Sequence, residues 1–206
     1  MAAIPTLELR DFEFQAFDTL WWVGRNWTSR AIQLATCTPQ QWWYGETPSH
    51  VSVIAPWCCE PTNFESTTLC PLPCVIRGVP TSGVQAHRPH EEIAAYDGRV
   101  ILLRLPEPLA HGKAIRLGQY LAEKCGAPYD YPQALAAGTH WIKRMRWARP
   151  NRDAFFCDEL VSYAGRKIEV LEKVYNPAGV SPAWLFRWIV TNGIQEICGQ
   201  FLPTDH

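Results

Sequence analysis

Between Ser49 and Ala55 the chain reads SHVSVIA, with Val51, Val53 and Ala55 alternating against His50, Ser52 and Ile54. That period of two predicts a strand with two distinct faces, one of which carries an imidazole. Asn63 to Thr68 (NFESTT) predicts a second strand, Asp11 to Phe17 a short earlier one, and Arg99 to Leu105 (RVILLRL) the clearest strand of the chain. Elsewhere the pattern turns helical. Thr28 to Thr36 reads as a short helix capped by Thr28 or Ser29. Ala114 to Cys125 is helical with Gly126 just past its end. Tyr131 to Ile142 and Ala154 to Lys167 follow, and Pro182 leads a last helix, Ala183 to Thr191, that Asn192-Gly193 closes. Glu91 to Tyr96 makes one helical turn, while residues 69–90, with four prolines and two glycines, are expected to be mostly loop. Strands gather in the first half and helices in the second, the segregation of an α+β fold.

Composition narrows the class. At 206 residues without an internal repeat, one domain spanning residues 1–206 is the simplest organisation. Hydrophobic residues make up 47%, which excludes intrinsic disorder for most of the length. The formal charge of −1 argues against a nucleic-acid-coating protein. Glu8, Arg10, Asp11 and Glu13 occupy the place of a signal peptide's apolar stretch. No run approaches ~18 uncharged apolar residues, so no transmembrane segment is expected and the default compartment is the cytoplasm.

Three residues could carry chemistry. Cys157 follows two phenylalanines and opens a helical stretch, where free N–H groups and the helix dipole favour thiolate. A thiol nucleophile needs an imidazole, and the imidazole needs a third group to hold its tautomer. His50 sits on a strand, and Glu65 lies fifteen residues later on a candidate neighbour. By residue type alone, each also fits a plain structural role: a satisfied strand histidine, a solvated carboxylate and a buried thiol.

Local sequence is more specific. SHVSVIA around His50, FEST around Glu65 and FFCDELVSYAG around Cys157 resemble the permuted NlpC-type papain-like superfamily, in its YiiX/YebB-like branch. WTSRAIQLATCT and GAPYDYPQAL resemble the stretches that flank those motifs in such proteins. The order of motifs, His before Cys, is the reverse of ordinary papain-like enzymes. The resemblance implies a small antiparallel sheet packed on a nucleophile-bearing helix, with Cys157 as nucleophile, His50 as general base and Glu65 orienting His50. It implies a cysteine hydrolase or acyltransferase acting on an amide or ester of a cell-wall peptide, lipid or other acyl substrate, without a cofactor. Tyr129 and Tyr131 are candidates for the cleft wall. Two departures stand out: Asp158 where Ser is common, and a Pro/Cys-rich insertion at about 56–90.

Two further clusters call for assignment. Cys58, Cys59, Cys70 and Cys74 are spaced CC-x10-C-x3-C, with His87 and His90 as possible substitutes in a zinc set. The adjacent pair is awkward for one ion, and no metal is expected. Lys143, Arg144, Arg146, Arg149 and Arg152 crowd beside Trp141 and Trp147. They suggest either a solvated basic segment or a surface for an anionic partner. The latter supports the alternative function, a non-catalytic binding or structural protein on a papain-like shell. No Gly-rich phosphate loop, His-Glu-x-x-His or Gly-x-Ser-x-Gly occurs.

Overall fold

The computed structural model describes residues 4–24, 47–68, 70–79, 82–131, 154–172 and 181–203. The expected helices at 28–36 and 131–142 and the basic Trp-bearing segment lie essentially outside these residues. Six strands make one antiparallel sheet: β1 (Thr19–Gly24), β2 (His50–Trp57), β3 (Glu60–Thr67), β4 (Gly83–His87), β5 (Gly98–Arg104) and β6 (Glu196–Phe201). Their order is β4-β3-β2-β1-β5-β6. Four helices accompany them among the described residues: α1 (Pro89–Ala94), α2 (His111–Lys124), α3 (Cys157–Lys167) and α4 (Pro182–Thr191). None is long and apolar enough to cross a membrane.

Alternation assigns the two faces of the sheet. Trp21, Val51, Val53, Phe64, Ala86, Ile101 and Leu103 turn to one side and pack with Leu117 and Leu121 of α2 and Leu160 and Val161 of α3. Leu20, Trp22, Ile54, Val100, Leu102 and Phe201 turn to the other, under Phe14 and Ile93. By the same parity His50, Glu65 and His87 share the second face. Gly118 brings α2 hard against β2, because a Cβ there would strike the Pro56 carbonyl.

The sheet departs from expectation in three places. Asp11 to Phe17 is not a strand: Phe17 takes φ 68 and reverses the chain, and the strand starts at Thr19. The pairing there is closed by Phe17 N–H donating to the Ile54 carbonyl and Ile54 N–H donating to the Asp18 carbonyl, each at 2.8 Å. Residues 69–90 contain β4, which completes the ladder on β3. β6 adds an edge strand after the last helix, with an irregularity at Leu102/Leu103 that a period-two pattern does not reveal.

Strands β2 and β3 join through Cys58-Cys59, both at positive φ (50° and 67°) between the paired Trp57 and Glu60. This is a two-residue primed turn, which normally takes Asn-Gly. An L-residue with a β-carbon costs roughly 1–2 kcal/mol in that region. Replacing the pair (Cys58→Asn with Cys59→Gly) should therefore raise stability by about 1–2 kcal/mol, read as a higher urea midpoint at unchanged slope. An unchanged or lower midpoint would show that these two cysteines are held by something besides the turn.

Candidate functional site

A cavity of about 290 Å3 opens where the sheet's second face meets the start of α3. His50, Glu65, Cys70, Glu92, Tyr129 and Cys157 are on its wall. Each reaches it for a local reason. β1 and β2 pair with Trp22 opposite His50, and the Trp22 indole is fixed by donating to Ser52 Oγ at 2.8 Å. The β2–β3 register, with Val53 opposite Phe64, extends to place Glu65 diagonally from His50 on the same face. There His50 Nε2 and Glu65 Oε2 lie 2.7 Å apart.

Cys157 is the first residue of α3, after the N-cap Phe156. Glu159 folds back to accept the Phe156 N–H at 3.1 Å, the return half of a capping box. Ser66 Oγ donates to the Phe155 carbonyl at 2.6 Å, tying the approach to the helix onto β3. The thiol is wholly buried. The backbone N–H groups of Val51, the residue after His50, and of Asp158 point at its sulfur. Cys157 and His50 thus line one cavity, with the residue after His50 donating to the sulfur.

Burial dominates the electrostatics. It pushes the Cys157 thiol well above its ordinary value, with the Asp158 charge adding to it, so the resting form is the thiol rather than the thiolate expected of an exposed helix start. Burial also draws His50 down to about 4, leaving a neutral imidazole. Asp158 is itself buried and pushed well above the ordinary carboxylate range.

Sequence reasoning missed Glu92. Its helix α1 lies over β3, and Glu92 accepts from Asn63 Nδ2 at 2.7 Å while facing Glu65. Burial raises both carboxyls, and Glu92 is raised further by Glu65. The Glu65–Glu92 hydrogen bond raises Glu92 and lowers Glu65, so Glu92 is the member of the pair that holds its proton more tightly. The signal was faint: HEEIAAY offers two adjacent acids, and only α1's seating on the sheet distinguishes the buried one.

The remaining candidates divide. Tyr129 lines the cavity with Trp22, Tyr96 and Phe156. Tyr131 does not: it is 56% exposed and touches the site only through Tyr129, ring to ring at 5.1 Å. The four cysteines spaced CC-x10-C-x3-C do not converge. Cys58 and Cys59 are exposed on their turn, Cys70 faces the cavity, and Cys74 is buried beside Cys125. His90 Nε2 instead meets the Phe12 carbonyl at 3.1 Å.

No family model matches the sequence, and no curated protein is significantly similar to it. Among solved structures, the metalloprotein YiiX of Escherichia coli O157:H7 (DUF1105) superposes with a TM-score of 0.52 at 17% identity, over 93% of this chain and 90% of that one. The fold is YiiX-like. At that identity the likeness extends to architecture, a mixed α+β arrangement with the six-stranded antiparallel sheet, and the chemistry has to be argued from the side chains.

Proposed function

We propose that the cavity is the active site of a cysteine hydrolase or acyltransferase with a permuted papain-like core, acting on an amide or ester bond of a cell-wall peptide or lipid-like substrate. What carries the reading is the 2.7 Å His50–Glu65 contact at the strand end where Val51 N–H meets the Cys157 sulfur. Glu65 accepting the Nε2–H of His50 leaves the lone pair on Nδ1, the form in which imidazole accepts a thiol proton. Sγ of Cys157 attacks the acyl carbon as its proton passes to His50, and N–H groups at the start of α3 hold the oxyanion. Collapse breaks the C–N or C–O bond, with the leaving group taking the proton from His50. Water or another acceptor then attacks the thioester, giving its proton to His50, and collapse returns that proton to the Cys157 sulfur. The walls suit an apolar acyl group, since the lining is mostly apolar and includes Trp22, Leu72, Tyr96, Tyr129 and Phe156.

YiiX is described as a metalloprotein. The donors that would hold an ion in this chain are Glu65, Cys70 and His87, where bound metal would supply positive charge beside the carboxylate that orients His50.

An activated ester tests the reading. Mass spectrometry should find an acyl adduct on Cys157, released by hydroxylamine and missing in His50→Ala. An adduct spread evenly over the cysteines, or none, would favour the non-catalytic alternative. The acid limb of kcat/KM should fall below pH 6.5, toward about 4, because burial keeps His50 unprotonated below its ordinary value. A limb at or above 6.5 would remove His50 as the base.

A further inference from the structure

Beside the proposed thiol chemistry, the same sheet face carries a second cluster that shares Glu65 with it and adds two residues it does not use. Glu65 Oε1, Cys70 Sγ and His87 Nε2 all lie within 4.8 Å of one another. Among the described residues no other group of three His, Cys, Asp or Glu side chains converges this way. They come from β3, the segment after it, and β4. His87 stands diagonally from Glu65, because β4 pairs with Gln85 opposite Glu65 and His87 opposite Asn63.

One buried lone pair of this cluster has no partner among the described residues. His87 Nδ1 faces the Pro73 carbonyl at 3.2 Å. A carbonyl only accepts, so Nδ1 carries the ring hydrogen and Nε2 is left with its lone pair. That lone pair points at another acceptor, Glu65 Oε1, at 3.6 Å. His87 is 1% exposed and Glu65 3%. The Cys70 thiol reaches Glu65, but among the described residues nothing meets the buried His87 lone pair, which is costly. An ion among the three side chains accounts for it. An imidazole whose other N–H is anchored on a backbone carbonyl is also how metal-binding histidines are usually oriented.

We infer that Glu65 Oε1, Cys70 Sγ and His87 Nε2 form a three-ligand site for a divalent ion of the zinc class. Donors at bond lengths of about 2.0–2.3 Å in a tetrahedron sit roughly 3.3–3.8 Å apart, so the 3.6 Å Glu65–His87 separation already fits and Cys70 needs only a small approach. Mixed sulfur, nitrogen and carboxylate donors select zinc or cobalt over magnesium or calcium. Glu65 and Cys70 also line the cavity, so a fourth position faces its interior, as in open rather than closed zinc sites. Among the described residues no lysine or arginine lines that cavity to compete for the site. The inference revises the expectation of no metal, and it does not depend on Cys157: the ligands stand on β3, its following segment and β4.

Metal-free full-length protein titrated with Co2+ should bind one equivalent, with the near-ultraviolet thiolate-to-cobalt band that marks sulfur ligation, and Zn2+ should displace it. Cys157→Ala should bind equally well. Cys70→Ser should abolish the band, and both it and His87→Ala should weaken Zn2+ binding by more than the roughly 10–100-fold that loss of a mere supporting residue costs. His87 is buried and its replacement can unfold β4, whereas the partly exposed Cys70 keeps the test sound. A cobalt band that survives Cys70→Ser, or binding at unit stoichiometry without any sulfur band, overturns the site.

Discussion

Replacing Cys157 by Ala should lower turnover of an ester or amide substrate by a factor on the order of 10^6, the cost of deleting a nucleophile from a catalytic unit of this type. Substrate binding should hardly change, because the aromatic wall formed by Trp22, Tyr96, Tyr129 and Phe156 remains. The fold should persist. Cys157 occupies the first helical position of α3, Ala is the best helix former, and the lost sulfur corresponds to one small buried group worth about 1 kcal/mol. The measurement is kcat and KM on one activated ester, beside urea melts of both proteins. Since burial holds the resting thiol protonated, wild-type protein should also react more slowly with small alkylating agents than with a substrate-like ester. Only the latter presents an acyl oxygen to the α3 amides while His50 removes the proton. Turnover within tenfold of wild type in the alanine variant would dismiss the thiol mechanism.

The legible parts of this molecule are those where one local rule decides the outcome. Val51, Val53 and Ala55 alternate against His50, Ser52 and Ile54 in sequence and in the sheet, because burial on one face enforces a period of two. Gly126 beyond α2 and Gly193 beyond α4 both take positive φ, as their places after a helix end require. What escaped depends on partners far away in the chain. β1 is a short apolar run, TLWWVG, that becomes a central strand only because β2 and β5 flank it. β4 hides among turn residues, and its five positions are all buried, so no polar alternation shows. The site divides the same way. His50 and Glu65 sit on adjacent strands fifteen residues apart, a distance one hairpin spans. Glu92 and His87 join them through the seating of α1 and the β3–β4 register, which nothing in their own sequence announces. Desolvation was the physical quantity absent from the sequence argument: a cysteine at a helix start reads as a thiolate until its full burial is known.

Glu65→Ala should reduce kcat by roughly 10^3 to 10^4 with little change in KM, the scale of loss seen when the orienting acid of a triad is removed. The reason is the tautomer. With Glu65 accepting at 2.7 Å, His50 keeps its hydrogen on Nε2 and its lone pair on Nδ1. Without that acceptor the two tautomers compete, and the imidazolium formed during attack loses its counter-charge. Glu65→Gln separates the two contributions. Its amide oxygen accepts the same N–H and preserves the tautomer, but it brings no negative charge, so its kcat should fall between wild type and Glu65→Ala. Both variants disturb the proton shared with Glu92, whose carboxyl burial and Glu65 together hold well above the ordinary range. Burial, the larger cause of that shift, persists when the neighbour's charge is removed. The activity loss therefore reports on His50 rather than on a newly ionised Glu92. The effect of Glu65 on the metal site is removed by measuring every variant with chelator and with added Zn2+. A Glu65→Ala protein that keeps kcat within a few-fold of wild type under both conditions would mean that His50 is oriented by another group, and that the 2.7 Å contact serves only the fold.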